Sequence, residues 1–390
     1  DSLAVISGVS GKVSYNPGTK TLRLENATIN ASTSTGILSK IEGLTIELIG
    51  NNAVNNNANL STIQFDGKSG TILGGGTLSV TNQANDFAIF ASDGALLTIK
   101  NCTINAIGGN RGITGNGNSP LTIQNATVTA KGGIDGSITR FSNITLDSCA
   151  IFEPIGGRVS KGTNTYYSVH NLADSVITDT VKILPATVYN LHICGVQVTS
   201  LNEDNLNVIP GVTGTVNYNP ATMTLTLNDA TITSSIEAHA IGSDIKGLTV
   251  ELKGSNDVSS STWSTMRFNK SGTIIGSGTL NVSHTNGGWA LYSNCPLLTI
   301  QSCTVNATNG SRGITGNENG MLTINNATIT AKGTGGSITH FSSIILDSCA
   351  ISDPVWARVS KGSNTYYSVR NSADSVITDT VKILPATVYN

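Results

Sequence analysis

The feature that most constrains this chain is that it says the same thing twice. Gly8-Val-Ser-Gly-Lys-Val-Ser-Tyr-Asn-Pro17 returns as Gly211-Val-Thr-Gly-Thr-Val-Asn-Tyr-Asn-Pro220, Arg111-Gly-Ile-Thr-Gly-Asn116 returns at Arg312, and Ile183-Leu-Pro-Ala-Thr-Val-Tyr-Asn190 is repeated unchanged at Ile383 to Asn390. The offset drifts from 203 at the start to 200 at the end, as small loop insertions on one scaffold would produce. The repeat divides the chain into residues 1–190 and 191–390. Asp1 aligns with Asp204, so the first copy lacks a counterpart of Leu191 to Glu203, which suggests a processed or trimmed form.

A shorter period runs inside each copy. Leu97-Thr-Ile-Lys-Asn-Cys-Thr-Ile, Leu121-Thr-Ile-Gln-Asn-Ala-Thr-Val and Ile144-Thr-Leu-Asp-Ser-Cys-Ala-Ile restate one phrase, and the apolar column Leu24, Ile46, Ile72, Ile99, Ile123, Leu146 has spacings of 22 to 27 residues. The second copy repeats it at Leu227, Val250, Ile274, Ile300, Ile324 and Leu346. Each phrase alternates apolar and polar residues, is rich in Thr, Ile and Val, and is bounded by Gly/Asn clusters; no helical pattern intervenes. A coil of that length built only from strands and turns predicts an all-β fold: two tandem right-handed parallel β-helix (β-solenoid) modules. Coils would stack about 4.8 Å apart and align identical apolar positions in a narrow core. A propeller needs longer blades, and a sandwich would show hairpins instead of one restated phrase. Val159 to Asn190 and its counterpart fall out of coil register and read as strand-rich C-terminal caps over an otherwise open solenoid end.

Composition narrows the function classes. Charged residues are 12% of the chain, with 22 basic and 24 acidic side chains and no Lys/Arg cluster, which argues against nucleic acid as partner. No stretch approaches the roughly 18 apolar residues of a membrane helix. The low Lys and Glu content without amphipathic helices points to an extracellular or cell-surface setting.

Chemistry-bearing constellations are sparse. Cys102, Cys149, Cys303 and Cys349 take the coil position otherwise held by Ala27, Ala126 and Ala327, so they read as small core residues; Cys194 and Cys295 have no equivalent in the other copy, and no spacing resembles a metal site. The acids Asp66, Asp86, Asp93, Asp135 and Asp147 scatter over coils without the paired carboxylates of a hydrolase or the clustered ones of a calcium lyase, and the histidines find no triad partner. A polysaccharide lyase or hydrolase is the least favoured class. Outward threonines at positions 45, 71, 98, 122 and 145, and at 226, 249, 273, 299 and 323, form columns that any exposed strand face favours. Asn-X-Thr triplets at Asn26, Asn101, Asn125 and Asn326 belong to the repeated strand-turn phrase.

What remains is a surface on which sugar rings could stack and be oriented by polar groups. Trp356 stands where the first copy has Gly156 and is expected to be exposed. Trp263 replaces Leu60 and reads as a packing exchange. Trp289 replaces Phe87 beside Tyr292, in a stretch read as loop, with core packing the leading account and sugar stacking the other. Arg111 with Asn116, and Arg312 with Asn317, lie in the twice-used Arg-Gly-Ile-Thr-Gly-Asn phrase, read first as a turn with positive-φ glycines and a carbonyl-capping Arg.

Gly247-Leu-Thr-Val-Glu-Leu, Gly278-Thr-Leu-Asn-Val-Ser and Leu322-Thr-Ile-Asn-Asn-Ala-Thr-Ile-Thr resemble secreted β-helix repeat proteins of gut Bacteroidetes. They are also similar to bacterial carbohydrate-binding β-helices that attach acidic plant polysaccharides with calcium. The resemblance implies a non-catalytic carbohydrate-binding surface module. Arg-Gly-Ile stands here where that family carries Asp-Gly-Ile, so no calcium set carries over and no cofactor is expected. The alternative is a structural or adhesive array that presents other domains or binds a protein partner, consistent with tandem units and near-identical caps.

Overall fold

The structure is a computed structural model and describes residues 3, 5–236, 238–363 and 365–386. Asp1 and the last four residues of the repeated ending therefore lie outside the described residues. The chain divides into two compact units, Asp1–Val188 and Tyr189–Asn390.

In each unit the restated phrase forms one coil of a right-handed parallel β-solenoid with three strands. In the first unit, Leu97–Lys100, Thr103–Ile107 and Arg111–Thr114 make one coil; Pro120–Gln124, Thr127–Lys131 and Gly136–Thr139 make the next. Pairing is in register and parallel on all three sides, with Ile99 opposite Ile123, Ile104 opposite Val128 and Ile113 opposite Ile138. These side chains are fully buried, and so are their counterparts Ile300 and Ile324, Val305 and Ile329, and Ile314 and Ile338 in the second unit. Each such burial stabilises by about 1.5–3 kcal/mol, so the columns supply most of the driving force.

The turn between the first two strands of a coil is set by one residue in the left-handed region. Asn26, Asn101, Asn125 and Asn326 take φ of 44 to 51°, and Asp229, Ser148, Ser302 and Ser348 hold the same place elsewhere. Asn and Asp tolerate this conformation better than other side chains with a Cβ. The asparagines also stack, Asn125 Nδ2 donating to Asn101 Oδ1 at 3.0 Å. The Asn-X-Thr triplets are thus turn determinants, Asn for the bend and Thr for the next strand.

The expected C-terminal caps are present, and the N-terminal ends are covered as well. An antiparallel strand, Val9–Asn16, covers Thr21–Ala31 of the first unit, and Val212–Asn219 covers Thr224–Ser234 of the second. At the other end Val181–Pro185 runs antiparallel between Thr127–Lys131 and Cys149–Glu153, beside the hairpin Arg158–Ser160 with Ser168–His170. Val381–Pro385 repeats this in the second unit.

The columns need one correction. The residues opposite Ile46 and Val250 are Leu22 and Leu225, where the alternation had suggested Leu24 and Leu227. The threonine columns likewise begin at Thr21 and Thr224, not Thr226, and the second ends at Ile345. A two-residue slip leaves every side chain on the same face, so alternation alone cannot detect it. The antiparallel covering strand and the bends at Asn26 and Asp229 settle the register. All six cysteines are free and buried, as small core residues would be.

Candidate ligand-binding face

The third strand of each coil forms a separate sheet, and in the second unit its outer face gathers the side chains of interest. The strands follow in the order Val196–Thr199, Val188–Ile193, Ile241–Ser243, Ser264–Phe268, Trp289–Ser293, Arg312–Thr315, Ile338–Thr339. Within Trp289–Ser293 the consecutive residues Ala290 and Leu291 both turn inward, so the half-buried Trp289 and Tyr292 share the outer face. Their rings lie 4.4 Å apart between centroids. The segment is a regular strand, which corrects its reading as loop, and both aromatics lie outside the solenoid core.

Register then places cations on these rings. Arg312 is opposite Trp289 and its guanidinium lies 5.4 Å from the indole centroid; Arg267 is opposite Tyr292 and lies 5.7 Å from the phenol ring. One coil earlier, Arg267 borders a groove of about 350 Å³ lined also by His192, His239, Asp244, Trp263 and Asn269. Trp263 is 66% exposed with φ of 60°, and its ring sits edge-on to His239 with centroids 6.3 Å apart. Trp263 is therefore a surface residue and not a packing exchange; Leu60, which it replaces, is itself exposed.

A row of amides runs alongside. Asn294 Nδ2 donates to Asn269 Oδ1 at 3.1 Å, Asn317 Nδ2 donates to Asn294 Oδ1 at 3.1 Å, and Arg267 Nε donates to Asn269 Oδ1 at 2.7 Å. Tyr292 donates its hydroxyl to Asn294 Oδ1 at 3.3 Å. These bonds hold the donors and acceptors still while leaving further valences for a ligand. At the far side His340 stacks on Tyr366, centroids 4.0 Å apart.

Burial disfavours the charged form of the histidines on this face. Burial lowers the pKa of His239, and the charges of Arg267 and His192 add to the effect against a hydrogen bond to the Ser264 carbonyl. That bond, 2.7 Å from Nδ1, makes Nδ1–H the donor and leaves Nε2 to accept from Arg267 at 3.5 Å. Burial likewise lowers His192 and His340, the latter helped by Arg312.

The first unit builds the same face with different chemistry. Phe87 and Phe90 replace Trp289 and Tyr292, Gln64 replaces Arg267, and Asp66 replaces Asn269. Arg111 stacks on Phe87 at 4.9 Å and is buried against Asp135 at 2.6 Å. Asn116 donates to Asp93 at 3.1 Å. Both arginines of the repeated phrase begin strands, Arg111–Thr114 and Arg312–Thr315, so the turn reading is corrected; positive φ enters only later, at Gly117 and Glu318. An apolar Ile at the centre of the phrase, Ile113 or Ile314, must enter the core, and this forces the strand.

Comparison with family models, with characterised proteins and with solved structures finds no match for the chain.

Of the residues singled out in the sequence, Trp289, Tyr292, Arg312 and Asn317 come together on one face. Arg111 and Asn116 occupy the equivalent face of the first unit. Trp356 is 53% exposed on the turn that follows the Asp353–Pro354 bond, and takes no part in the ring contacts of the face. Sequence reasoning missed His192, His239, Arg267, Asn269 and Asn294. The signal that could have found them is the set of outward positions at which the second copy departs from the first: Gln64 to Arg267, Asp66 to Asn269, Leu60 to Trp263.

Proposed function

We propose that the protein is a non-catalytic carbohydrate-binding module acting outside the cell or at its surface, and that the outer face of the third sheet in the second unit takes the glycan. The observation that carries this reading is the run of Trp263, Trp289 and Tyr292 on adjacent coils, interleaved with Arg267, Arg312 and the Asn269–Asn294–Asn317 row. Indole and phenol faces stack on the apolar faces of pyranose rings, while fixed amides and guanidinium groups satisfy the hydroxyls. Neighbouring strands lie about 4.8 Å apart, so a sugar chain laid across the strands meets a repeated set of partners.

The test is a glycan array run with and without calcium, followed by titration of the best ligand. Trp289→Ala removes stacking worth about 1–2 kcal/mol, so affinity should fall roughly five- to thirtyfold. Trp263→Ala should do the same, and Trp356→Ala should not. Unchanged binding in Trp289→Ala and Trp263→Ala would refute the assignment.

One observation favours a second reading, in which the protein is an adhesive array that binds a protein partner. Val355 and Trp356 stand side by side on a turn, 84% and 53% exposed, a pairing of bare apolar side chains suited to a protein contact. Silence across the glycan array, with adhesion abolished by Trp356→Ala, would establish that reading.

A further inference from the structure

Asn-Gly dipeptides occur in the chain at Asn116, Asn286, Asn309 and Asn319. The pair is a turn signal, and it is also a reactive context for the asparagine side chain. A glycine leaves the next backbone nitrogen uncrowded for attack on the side-chain carbonyl carbon. In a folded protein that attack requires two groups to be unengaged: the Asn amide, which must swing toward the backbone, and the following Gly N–H, which must give up any acceptor.

At three of these places the structure holds the reacting groups. Asn116 Nδ2 donates to Asp93 Oδ1 at 3.1 Å, its Oδ1 accepts the Asn118 N–H at 3.3 Å and the Ser119 hydroxyl at 3.4 Å, and the Gly117 N–H donates to the Arg140 carbonyl at 2.7 Å. Asn319 Nδ2 donates to the Asn317 carbonyl at 3.5 Å, and the Gly320 N–H donates to Asn317 Oδ1 at 3.0 Å. Gly310 ends the strand Thr304–Gly310 and pairs with Gly333. Asn286 is different. It lies on an exposed turn, residues 285–288, between the strands Thr279–His284 and Trp289–Ser293. His284 Nδ1 accepts the N–H groups of Asn286 at 3.2 Å and of Gly288 at 2.8 Å. The intervening Gly287 N–H and the Asn286 side chain have no hydrogen-bond partner among the described residues. Gly287 takes φ of 74°, and a Cβ there would meet nothing within 4 Å, so there is room beside it for a ring. The corresponding turn of the first unit, Gln83 to Asp86, contains no Asn-Gly pair.

We propose that Asn286 is a site of spontaneous covalent modification, deamidating through a cyclic imide formed with Gly287 while the protein stays folded. The Gly287 nitrogen gives its proton to solvent and bonds to Asn286 Cγ; the Cγ–Nδ2 bond breaks and the amide nitrogen leaves as ammonia. Water then opens the imide at either carbonyl, giving aspartate, or isoaspartate in which the main chain runs through Cβ. One water is consumed and one ammonia released, with no change of oxidation state. His284 prepares the site, because it holds the N–H groups on either side and leaves the Gly287 nitrogen between them without an acceptor. The product carries a new carboxylate on the turn that leads into Trp289. The isoaspartate form also adds one backbone carbon between the two N–H groups that His284 holds. The inference does not depend on the glycan reading.

The experiment holds the whole folded chain in mildly alkaline buffer, digests samples at acid pH, and follows Asn116, Asn286 and Asn319 by tandem mass spectrometry, with isoaspartate scored by enzymatic methyl transfer. Asn286 should convert at least about tenfold faster than Asn116 and Asn319, whose hydrogen bonds must break before the ring can close, and in guanidinium the three rates should converge. Asn286→Gln, at an exposed and unpartnered position, should remove the fast phase of ammonia release, because closure through the longer side chain is slow. Asn317→Ala should release the Gly320 N–H and speed Asn319. An intact Asn286 in the folded protein, a native rate at Asn116 or Asn319 equal to its own, or a fast ammonia phase that survives Asn286→Gln would each overturn the proposal. So would an Asn319 rate unmoved by Asn317→Ala.

Discussion

Arg111 and Asp135 meet at 2.6 Å on the outer face of the first unit, and the residue that takes the place of Asp135 in the second unit is Gly335. The turn is one residue shorter in the second unit and carries no carboxylate, so the first arginine is neutralised within its own unit and the second is not. Arg312 has no ion-pair partner among the described residues, and a Cβ at Gly335 would lie 3.9 Å from its Cγ but also 3.1 Å from the Ser311 carbonyl oxygen, so the turn must give by a few tenths of an ångström. Gly335→Asp should therefore bring a carboxylate to Arg312 and weaken glycan binding several-fold. Calorimetric titration of the variant against the best array ligand checks this; undiminished affinity would show that Arg312 does not contact the sugar.

Removing Asp135 should act on stability. Arg111 is buried, and losing the carboxylate leaves a desolvated guanidinium with one fewer partner, at a cost of about 1–3 kcal/mol. Denaturant melts of Asp135→Ala should show that loss, and an unchanged midpoint would mean that water or the Phe87 ring already suffices.

Acid should destabilise the second unit through its histidines. Burial lowers the pKa of His192, His239, His284 and His340 in the folded state. The unfolded chain takes up protons first as pH falls through the ordinary histidine value of about 6.5, so stability is full above that pH and declines as pH drops toward the lowered folded values. His284 supplies a specific cause, since Nδ1 accepts the Gly288 N–H at 2.8 Å and the Asn286 N–H at 3.2 Å and cannot do so once protonated. The first unit has Asn82 in that place, accepting the Asp86 N–H. Thermal melts between pH 7.5 and 5 should show the decline, and His284→Asn should flatten it.

Two buried asparagines close the turn at equivalent places. Asn52 Oδ1 accepts the Ala27 N–H at 2.9 Å while its Nδ2 donates to the carbonyls of Ile49, Gly50 and Thr77; Asn256 does the same for Ala230, Lys253 and Thr279. Alanine at either position leaves buried backbone groups without partners and should cost about 1–3 kcal/mol in urea unfolding. Less than about 0.5 kcal/mol would mean that water replaces the amide.

Cysteine reactivity offers an inexpensive check on the core. Burial pushes the thiols of Cys102, Cys194 and Cys303 up to about 12, and all six cysteines are buried. A thiol reagent at pH 8 should label none of them in the native protein and all six after unfolding. Fast labelling of any one would contradict its placement.

The alternation of apolar and polar residues and its restatement every 22 to 27 residues determined, by themselves, the parallel solenoid, the inward columns and the need for caps. That information is local and repeated, so each coil confirms the next. Asn125 at its left-handed turn is equally local, since its triplet belongs to the repeated strand-turn phrase, whereas Arg-Gly-Ile reads as a turn by its glycines and becomes a strand only because Ile113 must enter the core. Only the tertiary structure decided which outward residues meet. Trp263, Arg267 and Tyr292 are up to 29 positions apart in sequence, and their neighbourhood depends on the register between coils, which alternation leaves free to slip by two. The register is set by the bends at Asn26 and Asp229 and by the covering strands.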